Sequence, residues 1–140
     1  MGICISATNS GYTFDMGYGG FFNLRANIAD IIDKDFGALY RKARYCMGKQ
    51  ELEDNMREAY RIAGEKNLYE KYGDVIDFLY MSDAKGTISH RTCKHIYDLI
   101  KDVDFGNKIF RYAAQAGNDY EDLKKFLKEC YSNRRKMRWY

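Results

Sequence analysis

Apolar residues recur at intervals of three and four positions through most of the chain, and this spacing is typical of amphipathic helices. No proline interrupts the pattern anywhere in the 140 residues. Helices are predicted over residues 20–33, 36–47, 52–64, 68–79, 89–103, 105–116 and 119–131. Ser89 is the expected N-cap of the fifth helix. A chain of this length buries a core without disulfides, so we expect a single compact domain covering residues 1–140.

The two ends of the chain carry a different pattern. Residues 3–6 form a short β-prone run, ended by the turn-forming residues 9–11. Near the other end, Met137 and Trp139 alternate with Arg138, as in a half-buried strand. The two segments are able to pair in a small sheet. That pairing would make the fold an α-rich α+β domain of about six or seven helices.

Composition and charge exclude several classes of protein. No apolar run approaches the roughly 18–20 residues that a membrane span requires, and we expect no membrane partner. The chain shows no charged-then-apolar leader, which favours a cytoplasmic location. The four cysteines are isolated, and Cys93 and Cys130 fall on apolar helix faces, so we expect reduced thiols. A net charge of +3 does not by itself indicate nucleic-acid binding.

The stretch DMGYGGFFNLR at residues 15–25 joins glycines, rings and an arginine. Gly19 and Gly20 stand at a predicted helix start, where free N–H groups and the helix dipole favour an anion. The stretch is no dinucleotide fingerprint, because Phe22 replaces the third glycine and no strong strand is predicted before it. Arg25 lies beside the apolar stripe of the same helix. It requires a carboxylate, a phosphate or water. It either bridges to an acidic residue of the chain, such as Asp15, or binds a ligand phosphate or an acidic partner.

No catalytic or metal-binding arrangement stands out. His90, Cys93 and His95 are metal-type residues, but His95 is expected to point away from the other two. Residues 82–89 resemble a calcium-binding loop, because an apolar residue follows the glycine by two positions. The carboxylate ligands of such a loop are missing, so we predict a tight turn between two helices. We therefore predict no metal, no cofactor and no enzymatic activity.

The clearest electrostatic feature is a basic segment near the C-terminus. Its cations are Arg134, Arg135, Lys136 and Arg138, and its rings are Trp139 and Tyr140. Cations beside rings suit phosphates and bases. A solvated basic tail is the alternative. The thirteen tyrosines serve either as half-buried core or as a binding surface rich in rings.

With residues 15–25, 85–89 and 93–100 and a tryptophan near the end, the chain resembles a group of small uncharacterised proteins. Phages, prophages and mobile elements of Gram-positive bacteria encode them, and they share the pattern D-M-G-Y-G-G-F-F-x-L-R. The chain departs from their glycine, arginine and cysteine pattern over residues 111–118. The resemblance implies no particular activity. It implies a location in a bacterial host cell, where small phage proteins often counter host defences.

We hypothesise a phage-type anti-defence protein that binds and sequesters an immune-signalling nucleotide of the host, without catalysis. Glycine amides and arginines would hold phosphate, and rings would stack on a base. The predicted ligand-binding residues are Tyr18, Gly19, Gly20, Arg25, Arg134, Arg135, Arg138 and Trp139. One alternative is a protein inhibitor of a host defence effector such as a CRISPR nuclease, and another is a small regulator that binds DNA or RNA. All three are compatible with a homo-oligomer.

Overall fold

The computed structural model describes residues 2–103 and 119–140 of the chain. This part contains six helices and one four-stranded sheet, which confirms the predicted helix-rich α+β class. In chain order the elements are β1 (Gly2–Ala7), β2 (Thr13–Gly17), α1 (Tyr18–Ile32), α2 (Lys34–Ala43), α3 (Lys49–Glu65), α4 (Leu68–Tyr80), β3 (Gly86–Ile88), α5 (His90–Ile100), α6 (Asp119–Ser132) and β4 (Met137–Trp139). The helix predicted at residues 105–116 lies outside the described residues.

The sheet is antiparallel, with strand order β2-β1-β4-β3. The predicted pairing of the two chain ends is confirmed, because β1 and β4 are neighbours with Ile5 opposite Trp139. Two strands are additional to the prediction. The first, β2, occupies the beginning of the glycine stretch, and the second, β3, forms where a tight turn is predicted.

The chain divides into two compact units. The sheet unit holds the sheet, the beginning of α1 as far as Leu24, and helices α5 and α6. The helical unit is the continuous stretch Arg25–Leu79, with the remainder of α1, then α2, α3 and nearly all of α4. Within residues 2–103 and 119–140, no helix combines the length and the apolar character needed to cross a membrane.

The core of the sheet unit forms on the inner face of the sheet. Ile5, Met137 and Trp139 point into it and are each at most 1% exposed. The Trp139 ring centroid lies 5.5 Å from that of Phe21, and its Nε1 donates a 2.9 Å hydrogen bond to the Ser82 carbonyl. Burying a large apolar side chain in this way stabilises the fold by roughly 1.5–3 kcal/mol.

The helical unit depends on a close approach of α1 and α2. A β-carbon at Gly37 would stand 2.7 Å from the Asp30 α-carbon, so only glycine fits there. Asp33 is the N-cap of α2, and its carboxylate accepts hydrogen bonds of 3.1 and 3.0 Å from two amides in the first turn. The Tyr40 hydroxyl donates a 2.8 Å hydrogen bond to the Leu79 carbonyl, which joins α2 to α4.

Candidate functional site

The glycine stretch is the connection between β2 and α1. Strand β2 ends at Gly17 and α1 begins at Tyr18, so Gly19 and Gly20 lie in the first helical turn, as predicted. The expectation that no strand precedes this turn is wrong, because β2 leads directly into the helix. The strand is antiparallel to β1, unlike the parallel strands of a dinucleotide-binding βαβ unit. Tyr18 is 40% exposed, and the space beside Gly19 is open.

Arg25 is a buried residue of the helical unit. It is 4% exposed, and its guanidinium carbon lies 4.9 Å from the centroid of the Phe78 ring. A guanidinium over an aromatic face is attracted by the ring quadrupole. Arg25 therefore contributes to the packing of α1 with α4, and a ligand in solvent does not reach it.

The basic C-terminal segment divides between structural and exposed residues. Arg135 donates from Nη1 to the Thr8 carbonyl at 2.9 Å and to the next carbonyl of the chain, so it ties the end of α6 to the turn after β1. Trp139, predicted to stack on a ligand base, belongs to the core instead and is 1% exposed. Arg134 and Arg138 are exposed, as a ligand site requires.

The predicted site residues are distributed over several elements of the two units. Seven of the eight belong to the sheet unit, and Arg25 belongs to the helical unit. Within the sheet unit, Tyr18 stands at the start of α1, whereas Arg138 is on β4. The Arg138 guanidinium carbon lies 5.6 Å from the ring centroid of Tyr140, a residue of the basic segment that is not among the eight predicted ligand-binding residues.

A cleft of about 320 Å³ lies between α5 and α6 on the sheet unit, and we call it the α5–α6 cleft. Its lining residues are His90, Arg91, Lys94, His95, Asp98 and Tyr131. The five residues from α5 follow helical spacing and share one face of that helix. Both histidines of the chain line the same cleft, which corrects the expectation that His95 points away from His90.

The α5–α6 cleft has more positive than negative charge. Arg91 and Lys94 line it together with one carboxylate, that of Asp98, which lies 2.9 Å from the Lys94 Nζ. The hydrogen bond between Lys94 and Asp98 holds the pKa of Asp98 below its ordinary value and raises the pKa of Lys94. Both groups are charged at neutral pH, so the cleft is cationic even with neutral imidazoles.

Tyr131 forms an aromatic wall of the cleft. Its ring centroid lies 5.4 Å from that of Tyr97 and 5.7 Å from the Lys94 Nζ. Ser89 is the N-cap of α5, and its hydroxyl accepts a 3.2 Å hydrogen bond from the Thr92 amide. The cleft therefore extends along the first turns of α5, where the helix dipole also favours an anion. A ring, cations and a helix start together suit a phosphorylated ligand that carries a planar group.

The sequence prediction missed this cleft because it considered the two histidines as metal ligands together with Cys93. Cys93 is fully buried and belongs to the core. In the part of the chain that the structure describes, no group of three or more histidine, cysteine or acidic residues is arranged to hold a metal ion. The signal available in the sequence was the spacing of polar residues along one face of α5.

Comparison with known proteins adds no relative: no protein-family profile, curated protein sequence or solved structure matches the chain.

Proposed function

We propose that this protein binds a phosphorylated signalling nucleotide of the host in the α5–α6 cleft and sequesters it without chemical change, as a phage-type anti-defence protein. The observation that carries the proposal is the presence of Arg91, Lys94, two imidazoles and the Tyr131 ring in one cleft. Phosphate requires cations and N–H donors, and a base requires a ring face. The anti-defence role is proposed from the resemblance of residues 15–25 to phage-encoded proteins.

The volume and the side chains of the α5–α6 cleft suit the separate parts of a nucleotide. A volume of about 320 Å³ is at the lower end of small-molecule sites, which span roughly 300–1,000 Å³, and suits one nucleotide. Arg91 is exposed and offers a planar fork to phosphate, while Lys94 is held in place by Asp98. Tyr131 offers its ring to the base.

Sequestration without turnover is the second part of the proposal. Asp98 accepts from Lys94 and also lies 3.6 Å from the Nζ of Lys101, so it is engaged by two cations and is a poor general base. The two histidines are the residues through which turnover would occur. A bound nucleotide recovered unchanged by mass spectrometry after prolonged incubation is the expected result, and a processed nucleotide would make the protein an enzyme.

The first experiment measures thermal stability against cyclic mono- and dinucleotides, ADP-ribose derivatives and NAD. A ligand at one hundred times its dissociation constant stabilises the folded state by about 2.7 kcal/mol, which is a readily measured shift. Stabilisation by one class of nucleotide supports the proposal and names the signal. A flat response to the whole panel contradicts nucleotide sequestration.

Two variants then locate the site. Arg91→Ala is expected to weaken nucleotide binding by roughly ten- to hundredfold, because it removes charge-assisted hydrogen bonds to phosphate. Arg57→Ala is the matched control, since this arginine is exposed on α3 and its loss should leave binding unchanged. Tyr18→Ala tests the start of α1. If Tyr18→Ala weakens binding and Arg91→Ala does not, the ligand binds beside the glycines and the cleft assignment is wrong.

A second candidate function, inhibition of a host defence protein, is supported by exposed apolar side chains of the helical unit. Met47, Leu52, Tyr60 and Tyr69 are 84%, 38%, 42% and 41% exposed. The rings of Tyr60 and Tyr69 stack with centroids 6.4 Å apart. Exposed rings of this kind are typical anchors of protein interfaces.

A phage infection assay separates the two candidates. The variants Tyr60→Ser and Arg91→Ala are each tested for protection of a phage against a host that carries a defence system. Loss of protection with Tyr60→Ser, while nucleotide binding is intact, favours a protein target. Loss with Arg91→Ala alone favours nucleotide sequestration.

A further inference from the structure

The outer face of the sheet, opposite the core of the sheet unit, carries a polar row that crosses all four strands. Thr13 is opposite Ser6, Ser6 is opposite Arg138, and Arg138 is opposite Thr87. Directly opposite residues of antiparallel strands have their side chains on the same face. Thr13, Arg138 and Thr87 are exposed, and Ser6 is half-buried. The four side chains therefore form one continuous strip in contact with solvent.

A second row adds an aromatic ring beside this strip. Asp15 is opposite Cys4, and the Cys4 backbone exchanges hydrogen bonds of 2.9 and 3.1 Å with the Tyr140 backbone. Tyr140 is 57% exposed, with the Arg138 guanidinium 5.6 Å from its ring centroid. Lys136 precedes β4 and is also exposed. We define the outer face by these residues: Cys4, Ser6, Thr13, Asp15, Thr87, Lys136, Arg138 and Tyr140.

We propose that the outer face binds single-stranded nucleic acid. A sheet surface with an exposed ring offers a stacking position for an unpaired base, and cations beside it neutralise the phosphates on either side. Among the side chains of the outer face, the two cations of Lys136 and Arg138 outnumber the single carboxylate of Asp15. The charge of the surface is thus complementary to a polyanion.

The geometry favours a single strand over a duplex. In a duplex the base faces are covered by their neighbours, so Tyr140 would have no face to stack on, and only the phosphates would remain as partners. The hydroxyl groups of Ser6 and Thr87 flank Arg138 along the strip, and that of Thr13 lies beyond Ser6. Hydroxyl groups of this kind contact sugar and phosphate oxygens. The outer face lies on the strands, apart from the residues of the α5–α6 cleft, so this proposal does not rest on nucleotide sequestration.

The test is fluorescence anisotropy with a labelled twelve-nucleotide strand of mixed sequence, as DNA and as RNA, between about 50 and 200 mM salt. The wild type should bind the single strand and lose affinity steeply with salt. The double variant Lys136→Gln/Arg138→Gln should give a slope of log K against log salt that is shallower by about 1.4, because each phosphate contact of a single strand contributes about 0.7. Tyr140→Ala should weaken binding by about tenfold with the slope unchanged.

Matched controls test whether the single strand binds at the outer face. Lys34→Gln/Lys49→Gln removes two exposed cations from the helical unit and should leave the affinity unchanged. Tyr140→Leu retains an apolar side chain without a ring and should weaken binding as Tyr140→Ala does. Buried-type Trp139 emission confirms that each variant is folded. Equal affinity for a duplex of the same length, an unchanged affinity of Tyr140→Ala, or an equal loss in the lysine control would each overturn the proposal.

Discussion

Gly86 packs against the indole ring of Trp139 so closely that a β-carbon at position 86 would overlap with the ring. The two residues are opposite each other in the β3–β4 pair. The absence of a side chain at position 86 is therefore what allows the ring to lie over β3. Gly86, which the sequence places in a turn, and Trp139, on the last strand of the sheet, therefore form one packing contact.

Gly86→Ala should destabilise the protein by about 1–3 kcal/mol, the usual cost of forcing extra atoms into a packed core. Urea denaturation followed by Trp139 emission measures the effect, since this is the one tryptophan of the chain. Gly64→Ala is the control: Gly64 lies in the last turn of α3 with open space around it, so alanine should not destabilise the protein and should raise its stability by at most about 0.5–1 kcal/mol. A Gly86→Ala protein as stable as the wild type would mean that the ring moves aside freely.

Arg25→Ala should lower the free energy of unfolding by roughly 2–4 kcal/mol, because a buried side chain packed over Phe78 is lost. Nucleotide affinity of the folded fraction should stay at the wild-type value. Arg57→Ala, at an exposed position, should change stability by less than about 0.5 kcal/mol. Calorimetry and ligand titration on the same samples check both statements. An Arg25→Ala protein that is as stable as the wild type but no longer binds the nucleotide would show that Arg25 belongs to the binding site.

Asp33 should make stability depend on acid pH. Burial alone would raise its pKa, but hydrogen bonds from the Phe36 amide and from Lys66, together with the Lys66 charge, hold the pKa of this carboxyl below its ordinary value. A carboxyl with a lowered pKa binds its proton more weakly in the folded state. Its contribution is complete above the pKa of the unfolded chain, about 3.9, and is lost as pH falls through the folded value.

Asp33→Asn should retain the helix cap but lose the charge, so its stability should decline less than that of the wild type between about pH 5 and pH 3. Asp33→Ala should cost about 1 kcal/mol at pH 7 through loss of the cap. Denaturation of the three proteins across this pH range makes the comparison. Parallel pH curves for the wild type and Asp33→Asn would show that other carboxyls govern the acid response.

The cysteines should react in two classes. Cys93 and Cys130 are fully buried, and the hydrogen bond between their thiols together with burial raises the pKa of Cys93. Cys4 and Cys46 are partly exposed. Because the thiolate is the reactive form, iodoacetamide should add to at most two positions of the folded protein and to all four after denaturation, as intact mass will show. Rapid fourfold labelling of the folded protein would contradict the packing of α5 with α6.

The helices were predictable because their signal is local. Apolar spacing alone locates α1, α3, α4 and α5 to within a few residues. The same spacing extends α2 too far, since Met47 continues the pattern but is 84% exposed, and the helix ends at Ala43. Strand β3 has three residues and no periodicity of its own, and it forms by pairing with the distant β4. No local pattern contains that information.

The candidate site was less predictable, for a chemical reason. A buried arginine over a ring and an arginine that awaits phosphate have the same sequence signature, and Arg25 is the former. Trp139 likewise serves as core, while its neighbour Arg138 is exposed. The prediction assigned both residues to the ligand, although on a half-buried strand neighbouring side chains face opposite sides. In the structure His90, Arg91, Lys94 and His95 lie on one polar face of α5, whereas the prediction had His95 pointing away from His90. Only packing against α6 turns that face into a cleft.

The strand order also determines when each unit is able to fold during translation. The helical unit, Arg25–Leu79, is one uninterrupted stretch and is fully synthesised well before Trp139 is added. Strand β1 is translated before the helical unit, yet its neighbour β4 is translated after α6. A hairpin of β1 and β2 alone is marginally stable and leaves Ile3 and Ile5 without cover. The nascent chain therefore carries an unfinished hairpin through most of its synthesis, and the sheet unit closes only after β4 has left the exit tunnel.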